Sequence, residues 1–155
     1  MNAPGLHALV LDTNVVLDLL LFADPATPAL REALDAQRLH WVTTPVMREE
    51  LARVLAYPHI VERMRFYQRS AADLLVDYDA RARLVDVAPK APYVCKDPDD
   101  QKFIDLAFHL MRDPGQLQGA ILLSKDKAVL KLKKRLAAHG VLVSPRLDSP
   151  ASAPA

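Results

Sequence analysis

The stretch HALVLD, residues 7–12, sets the tightest limit on the fold of this chain. Its apolar centre is continuous rather than alternating, as in a strand buried on both faces of a parallel sheet, and it stops abruptly at Asp12. GAILLS at 119–124 has the same character, and VLVSP at 141–145 adds a final short run. HWVTTP at 40–45 and RLVDV at 83–87 supply two further strand candidates. Helical patterns separate them: residues 15–21, ATPALREALDAQRL, VMREELARVL, a charged section over 60–79, QKFIDLAFHLM and KAVLKLKKRLAAHG. In QKFIDLAFHLM, Phe103, Leu106, Ala107 and Leu110 recur at helical spacing. Pro58 is expected to end the helix after Leu55, and Gly140 to end the last one. Apolar strands alternating with helices imply an α/β sandwich around a largely parallel sheet.

At 155 residues, 51% apolar and 25% charged, the chain fits one globular domain. That domain is expected over residues 1–144, with 145–155, ending in DSPASAPA, as a flexible tail. Cys95 is the only cysteine, which excludes an internal disulfide and a cysteine-based zinc site. No run approaches the length of a membrane span, so a soluble protein of a reducing, cytoplasmic compartment is expected, with no membrane partner. The 20 Lys and Arg nearly cancel the 19 Asp and Glu, so only the distribution of charge can bear on nucleic-acid binding.

Ligands of parallel sheets collect beyond the carboxyl ends of the strands, and acidic residues recur there. Asp12 closes the first strand, with Thr13 and Asn14 behind it. Asp126 follows ILLSK, DPDD places Asp97, Asp99 and Asp100 at a helix start, and Glu50 lies on the helix after WVTTP. Each has a structural explanation when taken alone. Asp12 and Asn14 can cap the following helix, as can Ser124 and Asp126. DPDD fits a cap with Asp97 at the N-cap and Pro98 in the first turn. Glu50 borders a packed face, whereas Glu49 can pair with Arg53. Gathered in one site, such carboxylates require a cation, and an all-oxygen set suits magnesium or manganese better than zinc.

LDTNVVLD, TPVMREELARVL, KDPDDQKFIDLAFHL and ILLSKDKAVLKL, in that order, resemble the four acidic motifs of the PIN-domain nucleases. The resemblance covers residues 6–143 and is nearest to the VapC-type toxins of prokaryotic toxin-antitoxin systems. It implies a three-layer α/β/α sandwich with a short parallel sheet and a metal-dependent endoribonuclease site using Mg2+ or Mn2+. Carried over by position, Asp12, Glu50, Asp100 and Asp126 are the catalytic and metal-ligating set, with Asp97 as a further ligand or as the cap holding the helix start. Asn14 and Ser124 accompany them. The resemblance also implies products with 5′-phosphate and 3′-hydroxyl ends, an RNA substrate, a cognate antitoxin and a homodimer.

Asp12 and Asp126 are then the most direct ligands, Asp100 a ligand or water anchor, and Glu50 the group that positions a second ion or the attacking water. Thr13, Lys125, Lys127, Lys131 and Arg135 are the candidate substrate contacts, the last three on one i to i+4 stripe. Met47, Tyr57, Ile60, Met64, Phe66 and Tyr67 form a candidate association surface, with core packing as the alternative. A catalytically silent RNA-binding or regulatory scaffold is the other reading. A magnesium-dependent phosphatase of the haloacid-dehalogenase type fits less well, because it wants a second aspartate where this chain has Asn14.

Overall fold

The computed structural model describes residues 6–22 and 27–147. Among them lies a five-stranded sheet, wholly parallel, in the order β3-β2-β1-β4-β5. The strands are β1 (His7–Leu11), β2 (Leu39–Thr43), β3 (Arg83–Leu84), β4 (Gly119–Leu123) and β5 (Val141–Ser144). The helices are α1 (Thr13–Leu17), α2 (Pro28–Asp35), α3 (Pro45–Val54), α4 (Pro58–Phe66), α5 (Ala71–Arg81), α6 (Gln101–Leu110), α7 (Lys127–Leu130) and α8 (Lys133–Ala137). The chain builds outward from β1 to β2 and β3, then returns to the other side of β1 for β4 and β5. The reversal of order between β1 and β4 opens a crevice at their carboxyl ends.

Side chains on β1 sort strictly by face. Leu9 and Leu11 join a core built with α1 to α5, while Ala8 and Val10 join a second core built with α6, α7 and α8. That alternation divides one continuous apolar run between two layers of helices, giving the expected α/β/α sandwich. Trp41 on β2 is 2% exposed and meets Tyr78 of α5 edge-on, with ring centroids 5.0 Å apart. The Tyr78 hydroxyl bonds Thr43, next to the Thr44 cap of α3. Trp41→Ala is expected to lower unfolding stability by about 3–5 kcal/mol, read from urea denaturation, because it empties a buried space against Tyr78 of α5.

Several local expectations change in the structure. The helix expected over 15–21 begins at Thr13 and passes into a π-helical turn, Asp18–Phe22. The wider turn lets Leu19, Leu20 and Leu21 all be buried, and Arg31 and Arg69 donate to the carbonyls of Leu19 and Leu20. Pro58 does not simply stop a helix; it occupies the first turn of α4, where its missing N–H loses nothing. RLVDV contributes only Arg83 and Leu84 to the strand, both exposed on an edge, with the Val85 N–H still reaching the Thr43 carbonyl at 2.8 Å. The helix expected after Asp126 divides into α7 and α8, because the buried Leu132 bonds back three residues to Val129.

Part of the break expected over FADPATP, at 23–26, and the last eight residues of the expected tail lie outside the described residues. Leu147 packs against the first core, three residues past the expected domain end. Met47, Ile60 and Met64 are buried in the cores, so the core explanation holds for them. Tyr57 and Phe66 are exposed. Among the described residues no helix is long and apolar enough to cross a membrane.

Candidate active site

The carboxyl ends of β1 and β4 are stitched together by a serine. Ser124, fully buried at the end of β4, donates through Oγ to Asp12 Oδ2 at 2.8 Å and accepts from the Asp126 N–H at 3.1 Å. The Asp12 N–H reaches the Leu123 carbonyl at 3.1 Å, which extends the sheet pairing to the aspartate itself. Asp12 Oδ1 accepts from the Asn14 N–H at 2.9 Å and so caps α1. Burial raises the Asp12 carboxyl above its usual range despite these bonds, and Glu50 and Asp126 push it the same way.

Asp126 caps α7, its Oδ1 accepting from the Ala128 N–H at 2.8 Å. Asp97 caps a short 3-10 turn, Pro98–Asp100, its Oδ1 accepting from Asp99 N–H at 3.1 Å. That turn delivers Asp100 to the same point. One oxygen from each of Asp97, Asp100 and Asp126 lies within 4.8 Å of the others. Asp100 Oδ2 is buried and has no hydrogen-bond partner. Its carboxyl is pushed up to about 7, first by burial and then by Asp126, Asp12 and Asp97.

A cation fits this set. Three half-buried carboxylates converge, a fourth stands beside them, and one oxygen lacks any donor, so a positive charge relieves both the repulsion and the orphaned acceptor. Oxygen-only donors suit a hard divalent ion. The Cys95 thiol is buried nearby and raised above its usual range, by burial first and then by charges including Asp100 and Asp126.

Glu50 reaches this region from α3. Its Oε1 accepts from Thr13 Oγ1 and its Oε2 from Lys102 Nζ at 2.6 Å. Glu49, one residue earlier, is exposed. Asn14 is also exposed, and its backbone N–H bonds Asp12. Among the expected substrate contacts, Thr13 is buried against Glu50, and Lys125 pairs with Asp18, a residue outside the expected site. Lys127, Lys131 and Arg135 are exposed on the α7 to α8 segment, but its division interrupts their helical stripe.

A cavity of about 380 Å³ opens at the same end of the sheet. Val15, Leu30, Leu123 and Leu147 form apolar walls and Lys125 and Arg146 bring positive charge, but none of the Asp97, Asp100 and Asp126 trio lines it. The part of the site that sequence patterning missed is Lys102. No local motif marks it, because its partner Glu50 is 52 positions away and only the tertiary fold joins them.

No match was found among curated proteins. A family model described as the PIN domain matches residues 8–114, a span that includes Asp12, Glu50, Asp97 and Asp100 and stops short of Asp126. PIN domains are generally nucleases that bind divalent metals. The match spans well over half the chain, and the parallel sheet gathers Asp126 beside the acidic residues inside that span. On this combined ground the chain belongs to the PIN-domain family.

Proposed function

We propose that this protein is an endoribonuclease dependent on Mg2+ or Mn2+, and that it acts as the toxin of a cytoplasmic toxin-antitoxin pair of the VapC type. The observation that carries the reading is the convergence of Asp97, Asp100 and Asp126 beside Asp12, with Asp100 Oδ2 unpartnered. Asp97, Asp100 and Asp126 would hold the ion, with Asp12 next to them. A divalent ion bound there neutralises a phosphodiester and lowers the pKa of water.

The protein's own groups provide rigidity and charge. Ser124 and the Asn14 N–H fix both oxygens of Asp12, and Thr13 and Lys102 fix both of Glu50. Asp12 and Glu50 can therefore orient a water without reorganising. Lys127, Lys131 and Arg135 offer exposed positive charge to the RNA backbone, and Lys125 joins them when a phosphate competes with Asp18. The antitoxin and a second copy of the chain are the proposed protein partners.

Ser124→Ala leaves Asp12 Oδ2 and the Asp126 N–H without their shared hydroxyl. Loss of such support is expected to weaken Mn2+ binding and cleavage by about 10–100-fold. Calorimetric titration of Mn2+ checks this, and an unchanged dissociation constant would show that the hydroxyl does not support the site. For the function itself, mixed RNA and matched single-stranded DNA pools are incubated with the protein, with and without Mg2+ or Mn2+. Cleavage of RNA only, requiring metal and leaving 5′-phosphate ends, is expected. Equal cleavage of DNA would remove the ribonuclease assignment, and cyclic-phosphate ends would remove water as the nucleophile.

A further inference from the structure

Glu50 and Lys102 form a second polar unit next to the aspartate trio. Both Glu50 oxygens are engaged by the protein, and the two side chains are only 17% and 20% exposed. The Lys102 ammonium also donates to the Asp99 carbonyl and lies 4.9 Å from the centroid of the Phe103 ring. A carboxylate, a carbonyl and an aromatic face therefore hold one ammonium in place. Asp12 joins the two units, since it lies within electrostatic reach of both Glu50 and Asp126.

Resting on the nuclease reading above, we propose that Lys102 takes the place of a second cation. The site then binds one divalent ion, at Asp97, Asp100 and Asp126, and the Lys102 ammonium supplies the fixed positive charge on the Glu50 side. A second divalent ion near Glu50 would have to share oxygens that Lys102 and Thr13 already bond. It would also sit against a charge of its own sign on a pair that is mostly buried. An ammonium has three donors, of which Glu50 and Asp99 take two, leaving one for a phosphate oxygen of the substrate. Lysine serves this purpose as a point charge on a flexible stem, so its reach does not depend on planar alignment.

The test is the number of Mn2+ ions bound by the full-length, metal-stripped chain, counted by electron paramagnetic resonance of free Mn2+ and by calorimetry. Wild type and Lys102→Arg are expected to bind one ion. Lys102→Met, which keeps the stem and removes the charge, is expected to bind two. Two ions in the wild type, or still one in Lys102→Met, would overturn the proposal while leaving the nuclease reading intact. No ion in the wild type would overturn both. If circular dichroism shows Lys102→Met unfolded, Lys102→Gln is counted in its place, with the same outcomes.

Discussion

Asp100→Asn should abolish metal-dependent cleavage and at the same time make the metal-free protein more stable. The carboxyl of Asp100 is pushed up to about 7 by burial and by Asp126, Asp12 and Asp97, and one of its oxygens is buried without a partner. Without a cation, the folded state carries that charge at a cost, and asparagine removes the charge while keeping the shape. Because the site remains partly open to water, only a modest gain is expected, on the order of 1 kcal/mol or roughly 2–4 °C in Tm. Cleavage should fall by about 100-fold or more, since the residue would leave the metal-binding set. Thermal melting in EDTA together with an RNA-cleavage assay checks both halves. A variant that loses stability would contradict the electrostatic account even if activity were lost.

The second large effect is a dependence of metal-free stability on pH with a sign opposite to that of ordinary paired carboxylates. The Asp100 carboxyl, ordinarily near 3.8 in an unfolded chain, is pushed up to about 7 in the folded one. Between those values the folded state holds a proton that the unfolded state has released. Stability therefore falls as pH rises through this window, and the loss is complete above the folded value. Asp12, also raised, contributes in the same direction. A divalent ion replaces the proton, so its stabilisation should be larger at pH 8 than at pH 5. Mn2+ at 100 times its dissociation constant stabilises by about 2.7 kcal/mol, or roughly 5–10 °C in Tm. Melting curves at both pH values, with and without Mn2+, are the measurement; an equal shift at the two pH values would contradict the carboxylate site.

The choice between caps and ligands, which divides the sequence into competing explanations, dissolves in the structure. Asp97 and Asp126 each cap a helical segment through Oδ1 and have a second oxygen, while Asp12 caps through Oδ1 and accepts from Ser124 through Oδ2. A carboxylate can satisfy a backbone N–H and face a shared site at once, so local capping signals were never evidence against a site. The layered fold was legible because β1 and β4 are short continuous apolar runs that only a sheet covered on both sides can bury.

What patterning could not show depends on phase and distance. The three leucines at 19–21 fit an α-helix and a π turn equally well, and the choice follows from Arg31 and Arg69 reaching the freed carbonyls from elsewhere. Leu132 fits one long helix by spacing, but its N–H bonds back three residues to Val129 at the break between α7 and α8. Lys102 reads as a surface lysine in the first turn of an amphipathic helix. Only the preceding 3-10 turn and the placement of α3 bring it onto Glu50.

The central claim is that one metal-dependent phosphodiesterase site is built from the ends of β1 and β4 and the turn before α6. Its most direct test is cleavage of a mixed RNA pool in Mn2+ by wild type beside Asp12→Asn and Asp126→Asn, each confirmed as folded by circular dichroism. Cleavage by the wild type alone, lost in EDTA, is the predicted result. Equal cleavage by all three proteins, or none by folded wild type with metal present, would contradict it.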